Sequence, residues 1–541
     1  MNHTVTFNLE NKIATVAVPT NTLLSDAALQ AGIDIGQPCG GQGRCGRCAV
    51  QVMDGEVRRR STLRLSPSDV EAGYALACQT VIEGDAVIYI PPQEKIERRL
   101  TTDRVVAEVT VPAEYDYDSV QTVKRLSLQL ASPSMDDQTD DWARLQIAFR
   151  LQHGIERISC SLPLLRSIGP ALRDGDWQVS AIVEISRLAD QQTSRLIALQ
   201  PGHGDDYAPI WGAAIDIGTT TVSLWLVDLV TGKVRAQVAE YNGQIARGED
   251  VISRIIYASK DGGGDEMRQR VLDTINDLLE AACKRVKLDE GRVTPDQIVK
   301  ATISGNSTMI HLLLGIPASS IRLSPFVTAV NHPPTFSGRD MGLNLNPEAS
   351  VDCLPGVASY VGADITAGAL SSGLDDADDV TLFIDIGTNG ETVLGNRDWL
   401  VTCACSAGPA FEGAGVVNGM RATQGAISAL PASVSNACCT NAVGLIVSAL
   451  TKLSAPSSSA SISSGRSASR VTMSSCVGSG LSPVRSTCIR SIAVPPRSCR
   501  SASSKSGRSL SNALLACANV RTRAQTRQRH AASKARDQTI V

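Results

Sequence analysis

The chain has 541 residues, enough for three or four domains, and its 43% hydrophobic and 19% charged residues are ordinary for a globular protein. No stretch of about 20 apolar residues free of charge occurs, and the first ten residues lack a basic segment followed by an apolar run, so we expect neither a membrane span nor a signal peptide. The net charge of −3 is divided unevenly: residues 1–427 contain 36 Lys and Arg against 53 Asp and Glu, whereas residues 428–541 contain 15 basic residues and one acid, Asp537.

Cysteine usage argues against a secreted scaffold. Fifteen cysteines would suit a disulfide-stabilised protein, but four of them are grouped as ligands and several others crowd the last hundred residues. Thiols that act as ligands fit a reducing compartment, whereas disulfide scaffolds form in an oxidising one. We therefore expect a cytoplasmic protein that binds metal through cysteine.

The amino-terminal part predicts a small sheet with one main helix. Residues 4–18 alternate apolar and polar side chains around a turn, which predicts a hairpin. A helix is predicted over 23–31. Further on we expect a strand at 49–52, a short helix or turn at 66–73 and a last strand at 81–90.

The loop after the predicted helix carries the most informative motif, Cys39-Gly-Gly-Gln-Gly-Arg-Cys45-Gly-Arg-Cys48, which Cys78 completes. Four thiolates in this pattern can hold a [2Fe–2S] cluster, since the plant-type spacing is C-x4-C-x2-C with a distant fourth ligand. The glycines allow positive φ, so the backbone wraps closely and its N–H groups point at sulfur. The alternative is a zinc site, which favours two C-x2-C pairs, and only one is present.

The order hairpin, helix, ligand loop, strand and late fourth ligand resembles the β-grasp fold of [2Fe–2S] ferredoxins over residues 1–92. The segment Leu76-Ala-Cys78-Gln-Thr80 is similar to the fourth-ligand segment of that family. The charged stretch 93–104 is interpreted as a linker. Residues 105–205 mix strand and helix signals and predict a middle domain whose own function is not readable.

A second informative region begins at residue 211. The segment 211–228 predicts a strand, a tight turn and another strand, and the turn carries Asp216, Gly218, Thr219 and Thr220. A glycine lets the backbone approach a ligand, N–H and hydroxyl groups suit phosphate oxygens, and a carboxylate suits Mg²⁺. These residues predict half of a nucleotide site.

The same pattern recurs 169 residues later, within 382–394. Its turn contains Asp385, Gly387, Thr388, Asn389 and Gly390. Two copies form an internal repeat and predict two related lobes that face each other across a cleft. The pair resembles the phosphate-binding motifs of the actin, sugar-kinase and heat-shock ATPase superfamily, which implies that ATP and Mg²⁺ bind there.

Glycine-rich turns elsewhere in this region supply two further candidates for the cleft, Asp364 and Glu412. Asn306 and Thr308 follow a predicted strand, where they either reach a ligand or cap a helix. His311 is predicted to be a packed side chain.

These elements predict a multidomain protein of the α+β and α/β classes. Its parts are a β-grasp [2Fe–2S] ferredoxin domain (1–92), a linker (93–104), a mixed α/β middle domain (105–205), an incomplete, duplicated actin-like ATPase domain (206–427) and a low-complexity basic tail (428–541).

A ferredoxin unit joined to such an ATPase repeat resembles the reductive activators of corrinoid-dependent methyltransferases, over residues 1 to about 427. The resemblance implies an ATP-dependent one-electron reductase that converts inactive cob(II)alamin of a corrinoid protein to cob(I). It implies that the four cysteines carry the electron and that the two aspartate-glycine turns grip phosphates. The implied partners are the corrinoid protein and an upstream electron donor, with a homodimer left open and neither membrane nor nucleic acid expected.

Two other functions stay open at the level of the sequence. One is a simple [2Fe–2S] electron-transfer module that serves another oxidoreductase and needs no nucleotide. The other is a small-molecule kinase of the same superfamily with an accessory cluster, which would need a catalytic base that we cannot assign.

The tail departs from the pattern of the family. About a quarter of residues 428–541 are serine, arginine outnumbers lysine, and amphipathic periodicity fades. Such a change is typical of translation in another reading frame of a GC-rich gene, and a frameshift would remove the adenosine-binding turn while sparing the cluster. The alternative is a genuine disordered basic tail that binds nucleic acid or an acidic partner.

Overall fold

The structure is a computed structural model that describes residues 1–9, 12–92, 111, 115–185, 193–286, 291–386 and 390–405, together with 470–472 and 485–487. The segments up to residue 405 belong to one compact unit, and the last two belong to a second unit. The predicted linker 93–104 and most of the predicted tail lie outside the described residues.

The amino-terminal residues form a five-stranded sheet with two short helices. The elements are β1 (Asn2–Leu9), β2 (Lys12–Pro19), α1 (Leu24–Gln30), β3 (Ala49–Arg59), α2 (Pro67–Glu71), β4 (Tyr74–Leu76), a 3-10 turn (Ala77–Gln79) and β5 (Thr80–Tyr89). The strand order is β2-β1-β5-β3-β4, with β1 and β5 parallel. This order confirms the predicted β-grasp fold.

One strand of this sheet is longer than predicted. β3 continues to Arg59, seven residues beyond the expected end at Val52. Its outer half is largely exposed and pairs with β5 through two register shifts. Because exposed, bulged strands lack a clean alternation of apolar residues, the sequence pattern ended too early.

The helix α1 fixes the start of the cysteine loop. Leu24, Ala27 and Ala28 are fully buried and pack in one core with Phe7 of β1. The helix ends before Gly32, whose φ of +75° favours glycine. The chain therefore enters the cysteine loop from a rigid support.

The next described part is a four-stranded sheet with three helices. The elements are α3 (Tyr117–Val120), β6 (Val123–Gln129), α4 (Asp141–His153), β7 (Arg157–Ser159), α5 (Leu162–Asp174), β8 (Gln178–Glu184) and β9 (Thr193–Pro201). The strand order is β6-β8-β9-β7, and residues of α4 and α5 share a core with the sheet. This part is the mixed α/β middle domain that the sequence predicts.

A larger sheet follows, with helices on it. Its strands are β10 (Trp211–Ile217), β11 (Thr221–Asp228), β12 (Lys233–Tyr241), β13 (Ile298–Gly305), β14 (Phe336–Ser337) and β15 (Ser350–Cys353). The helices are α6 (Val251–Ala258), α7 (Gly263–Arg285), α8 (Ser307–Leu314), α9 (Ser319–Arg322), α10 (Gly338–Met341) and α11 (Ala363–Ser371), with 3-10 turns at Gly243–Ala246 and Pro295–Gln297. The strand order is β12-β11-β10-β13-β15-β14, and β13 and β15 run parallel to β10.

A second, smaller sheet repeats the start of the larger one. Its strands are β16 (Thr381–Ile386), β17 (Gly390–Asn396) and β18 (Trp399–Cys405). They form an antiparallel meander, as β10, β11 and β12 do. The topology thus confirms the internal repeat. In the second unit the described strands are β19 (Arg470–Thr472) and β20 (Arg485–Thr487), which pair antiparallel.

The cysteine loop lies against the segment that leads into α6. The Gln37 N–H donates to the Ala246 carbonyl at 2.6 Å, and the Glu249 N–H donates to the Pro38 carbonyl at 2.8 Å. These backbone bonds join the ferredoxin domain to the ATPase-like domain immediately before Cys39.

A buried arginine strengthens this junction. The Arg247 side chain is 1% exposed, and its guanidinium donates to the Ile35 carbonyl at 3.1 Å. It also pairs with Asp34 at 2.6 Å and Glu266 at 2.7 Å, while Arg270 pairs with the same Asp34 at 2.8 Å. Although burial opposes it, the two guanidinium groups lower the pKa of Asp34. The junction is therefore held by charge as well as by backbone bonds.

Among the described residues, no helix combines the length and the apolar character that a bilayer crossing requires.

We predict that Arg247→Ala loosens this junction. The change removes the buried partner of Asp34 and Glu266, which then keep only Arg270. Because Asp34 is half-exposed, the loss should be smaller than the cost of breaking a fully buried ion pair, which is about 3–5 kcal/mol. Amide hydrogen exchange over residues 34–40 should accelerate, and the thermal midpoint should fall. The control is Arg339→Ala, because its pair with Glu348 is half-exposed and such pairs contribute about 0–1 kcal/mol. Equal, small effects of both variants would contradict the assignment.

Candidate functional site

The four predicted ligands converge on one loop region. Cys39, Cys45 and Cys48 lie between α1 and β3, and Cys78 lies in the 3-10 turn that follows β4. Cys39, Cys48 and Cys78 are buried, and Cys45 is half-buried. All four are free thiols. The fold thus brings together the cysteines that the sequence spacing had grouped as ligands.

The thiols meet as two pairs. The Sγ atoms of Cys48 and Cys78 are 3.2 Å apart. Cys39 and Cys45 are the other pair, since each of these two thiols shifts the pKa of the other. Among the described residues, no three His, Cys, Asp or Glu side chains are grouped closely enough to hold a single metal ion. A tetrahedral zinc site needs four ligands around one ion, whereas a [2Fe–2S] cluster takes two thiolates on each iron. The paired arrangement fits the diiron cluster better than zinc.

Backbone N–H groups point at the sulfur atoms. Hydrogen bonding to Cys45 and to the amides of Arg44 and Gln42 lowers the pKa of Cys39 to about 4, against the opposing effect of burial. The Gly43 amide is directed at Cys78. Such donors stabilise negative charge on sulfur, and this is the environment that an anionic cluster needs.

Two positions of this loop show why glycine is required there. Gly40 and Gly43 have φ of +66° and +71°. A Cβ on Gly43 would lie 2.6 Å from Cγ of Gln79, and a Cβ on Gly40 would overlap the Ser253 carbonyl of α6. Glycine is thus needed both for the turn and for the close contact between the two domains.

The first predicted phosphate turn is held open by its neighbours. The Gly218 N–H donates to the Thr221 carbonyl at 2.9 Å, and a Cβ on Gly218 would lie 2.6 Å from that oxygen. The Asn242 side-chain amide donates to the Gly218 carbonyl, and the Asn242 N–H donates to the Thr220 carbonyl, each at 2.9 Å. The Thr219 carbonyl accepts from Arg254. With its carbonyls occupied, the turn keeps one shape.

Three carboxylates interact near the first phosphate turn: Asp216 of β10, Asp385 of β16 and Asp364 in the first turn of α11. Burial and the neighbouring charges of Asp364 and Asp385 raise the pKa of Asp216 to about 7. Burial is the main cause that raises the pKa of Asp364 to about 6, and it also raises that of Asp385. The three carboxylates are not grouped closely enough to hold a cation by themselves. Mg²⁺, however, binds through only one or two carboxylates together with phosphate oxygens and water, so Asp216 and its neighbours remain candidate ligands.

Two buried hydroxyls of this domain have no partner in the part of the chain that the structure describes. They are the buried Oγ of Ser304 and the buried Oγ1 of Thr308. Ser304 on β13 is the direct neighbour of Asp216 on β10 in the parallel pairing. Buried hydroxyls normally have a hydrogen-bond partner. Two such hydroxyls without one fit a site where a polar ligand would supply the missing hydrogen bonds.

The sequence analysis predicted some of the residues near the phosphate turn. The charges of Asp385 and Asp364 act on Asp216, and the binding of nucleotide by these residues stays a prediction. Gly390 begins β17, whereas Gly387, Thr388, Asn389 and Glu412 lie outside the described residues.

Of the residues that surround the phosphate turn, the sequence analysis predicted some and did not identify others. Asn306 caps α8 by accepting from the Thr308 N–H at 3.0 Å. His311 is fully buried and hydrogen-bonds the Ser307 carbonyl, so it is packed as expected. Ser304 and Asn242 were missed, because only the strand pairing shows that they adjoin the turn.

The helix α6 touches both sites. Ser253 accepts from Arg44 of the cysteine loop at 3.3 Å. The next residue, Arg254, is fully buried and reaches the Thr219 carbonyl of the phosphate turn. One short helix therefore contacts the cysteine loop and the phosphate turn through successive residues.

Comparison with protein families assigns four successive segments of the chain. Residues 7–83 match the 2Fe-2S iron-sulfur cluster binding domain, 114–206 the RACo linker region, 211–377 the RACo middle region and 379–481 the C-terminal domain of RACo, the ASKHA domain. The last match continues beyond residue 427, where the composition changes. The prediction that a frameshift produced the tail is not tested by this match and stays a prediction.

Individual relatives agree with these families. The chain is 32% identical over 422 residues to the corrinoid activation enzyme RamQ of Eubacterium limosum, covering 76% of this chain and 63% of the relative. It is 24% identical over 227 residues to the [Co(II) methylated amine-specific corrinoid protein] reductase of Methanosarcina barkeri, covering 40% of each. A solved reductive activator for corrinoid, iron-sulfur protein is 41% identical, covers 79% of this chain with a TM-score of 0.51, and is itself covered to 66%. The chain thus spans less than two thirds of the length of each relative.

We predict that Asp216→Asn stabilises the nucleotide-free protein at pH 8 more than at pH 4. The pKa of this carboxyl is about 7 in the folded state, above its unfolded value of about 3.9. Between these values the folded state holds more protons, so the free energy of unfolding decreases as pH rises through this interval. The neutral amide removes that cost. Thermal unfolding at both pH values measures the effect, with the exposed Asp136→Asn as the control. A lower midpoint for Asp216→Asn at pH 8 would contradict the carboxylate cluster.

Proposed function

The chain belongs to the RACo family of reductive activators of corrinoid proteins, and from this membership we propose that it passes single electrons to cob(II)alamin of a corrinoid protein and so restores the cob(I) state. The observation that carries the proposal is the joining of a paired-thiol ferredoxin loop and a carboxylate-lined phosphate turn through one helix. Either site alone would be compatible with many activities. Their contact within one fold is what an electron transfer that depends on nucleotide requires.

We assign the cluster to Cys39, Cys45, Cys48 and Cys78. When bound there, a [2Fe–2S] cluster supplies one electron at a time. The residues of the chain hold it by two thiol pairs, direct amide donors at sulfur and keep water away, since three of the four cysteines are buried. Burial and amide donation are the means by which a protein sets the reduction potential of such a group.

We assign the nucleotide to the turn at Asp216, Gly218, Thr219 and Thr220, and to its counterpart at Asp385. Support for Mg²⁺ and phosphate comes from the carboxylate of Asp216, whose pKa burial and the charges of Asp364 and Asp385 raise, and from two buried hydroxyls that lack a partner among the described residues. The counterpart residues Gly387, Thr388 and Asn389 remain predictions from the repeat.

The need for ATP follows from the size of the driving force. Reduction of cob(II) from an ordinary ferredoxin is uphill, and about 59 mV corresponds to a tenfold change for one electron. A gap of a few hundred millivolts therefore amounts to several kcal/mol. A nucleotide that binds one conformation of a two-lobed domain more tightly than another can bias an equilibrium by this amount.

The alternative function is a simple electron-transfer ferredoxin for another oxidoreductase. It uses the same four cysteines but makes no use of the carboxylates or of the phosphate turn. The two proposals therefore differ in one respect that can be measured, the dependence of electron transfer on nucleotide.

The experiment uses the full chain with its cluster reconstituted anaerobically. The reduced protein is mixed with a cob(II) corrinoid protein, and the cob(I) absorbance is followed with ATP and Mg²⁺ and without them. The proposal expects cob(I) to accumulate only with ATP. Equal accumulation without ATP would favour the simple ferredoxin, and a protein that binds zinc but no iron would contradict the cluster.

We predict that Cys48→Ser loses most of the [2Fe–2S] absorbance and all cob(I) formation, because one iron loses one of its two thiolates. The measurement is the visible spectrum and the iron content per chain. The control is Cys160→Ser, since Cys160 is a half-buried thiol of the middle domain outside the cysteine loop. Full absorbance in Cys48→Ser would remove this residue from the ligand set.

We predict that Gly218→Ala abolishes the ATP-dependent part of the activity but keeps the cluster spectrum. Its Cβ would lie 2.6 Å from the Thr221 carbonyl oxygen, so the phosphate turn must change shape. Nucleotide binding is measured by calorimetry. Gly264→Ala is the matched control, because its Cβ would meet only the Ala258 carbonyl, at an ordinary 3.5 Å. Unchanged nucleotide affinity in Gly218→Ala would contradict the assignment of this turn.

A further inference from the structure

Lys260 brings a positive charge from the ATPase-like domain to the cysteine loop. It lies two residues beyond the end of α6. Its N–H donates to the Tyr257 carbonyl and its carbonyl accepts from the Gly263 N–H, each at 3.0 Å. The backbone that carries the lysine is therefore fixed between α6 and α7.

The ammonium group points at the loop. Nζ lies 4.7 Å from the centroid of the Tyr257 ring, and it occupies the space that a Cβ on Gly41 would need. The residue as a whole is exposed, but its charged end is pressed against the backbone between Cys39 and Cys45. Burial of this charged end lowers the pKa of Lys260, and the neighbouring charges of Asp26, Cys78 and Cys39 oppose that effect.

The other cations of the loop already have partners. Arg47 pairs with Glu249 at 3.4 Å, and Arg44 donates to Ser253 at 3.3 Å. Among the described residues, no carboxylate lies within ion-pair distance of the Lys260 ammonium. Asp26 acts on Lys260 from beyond ion-pair distance and offsets its charge only in part, so Lys260 still acts on the sulfur atoms as a positive charge.

From this geometry we infer that Lys260 sets the reduction potential of the cluster: its ammonium stabilises the reduced form while the cysteine loop lies on α6. Reduction adds one negative charge to the cluster, and a nearby positive charge favours the more negative state. Removal of the charge, or movement of the loop away from α6, makes the cluster a stronger reductant. The inference rests on the cluster of the proposed function, but not on the corrinoid acceptor.

The test is the midpoint potential of the full, reconstituted chain, followed by the visible spectrum in a redox titration. At the midpoint potential of the wild type, the ratio of oxidised to reduced cluster should rise about tenfold in Lys260→Met, which is a shift of about 59 mV to a more negative value. Lys260→Arg should keep the potential of the wild type, and Lys260→Glu should shift it further in the negative direction.

The control for a change in total charge is Lys284→Met. Lys284 pairs with Glu280 near the far end of α7, which at ~1.5 Å per residue is about 30 Å along the helix from its beginning. This variant should keep the wild-type potential. Lys260→Gln is titrated beside Lys260→Met, so that the inference does not depend on the folding of a single neutral variant.

The outcomes separate this inference from the proposed function. A wild-type chain without the [2Fe–2S] spectrum contradicts the proposed function. A normal spectrum with equal midpoints in the wild type and in the neutral variants overturns the role of Lys260 alone. Loss of the cluster from both neutral variants also overturns it, because Lys260 would then hold the loop in place rather than set its potential.

Discussion

The buried guanidinium of Arg247 is the interaction on which the arrangement of the two sites depends. It bonds to the Ile35 carbonyl and to Asp34 on the ferredoxin side, and to Glu266 on the side of the ATPase-like domain. A charge 1% exposed is stable only when it is fully paired. The fold therefore favours one position of the cysteine loop, against the start of α6.

That position gives α6 its importance. Ser253 meets Arg44 and Gly40 of the cysteine loop, and Arg254 meets the carbonyl of Thr219 in the phosphate turn. A helix of only eight residues therefore lies between the two contacts. It is a short physical connection between the phosphate turn and the cysteine loop.

The carboxylates of Asp216, Asp364 and Asp385 are costly to bury. Burial raises the pKa of all three, and neighbouring carboxylates raise those of Asp216 and Asp364 further. Such an arrangement lowers stability and is typical of sites where a ligand offsets the cost. The buried hydroxyls of Ser304 and Thr308, which lack a partner among the described residues, add to this cost.

The sequence predicted the local features well and the contacts between domains poorly. The cysteine spacing and the alternation of the first strands were enough for the β-grasp fold, and the repeated aspartate-glycine turns were enough for two related sheets. The exposed half of β3 was not predicted, because its residues do not alternate between apolar and polar side chains. Ser304 adjoins Asp216 only through the pairing of β13 with β10, and Lys260 adjoins Gly41 across 219 positions of sequence, so no local pattern could reveal either.

The Asp34–Arg247 contact also bears on how such a chain can be recombined. Ferredoxin units are often treated as interchangeable modules, to be joined to whatever enzyme needs electrons. Here a module taken from an unrelated oxidoreductase would have to bring its own acid at the place of Asp34 and a free carbonyl at that of Ile35, or the buried guanidinium would keep Glu266 alone. A transplanted ferredoxin unit should therefore dock in the same position only if it supplies those two acceptors.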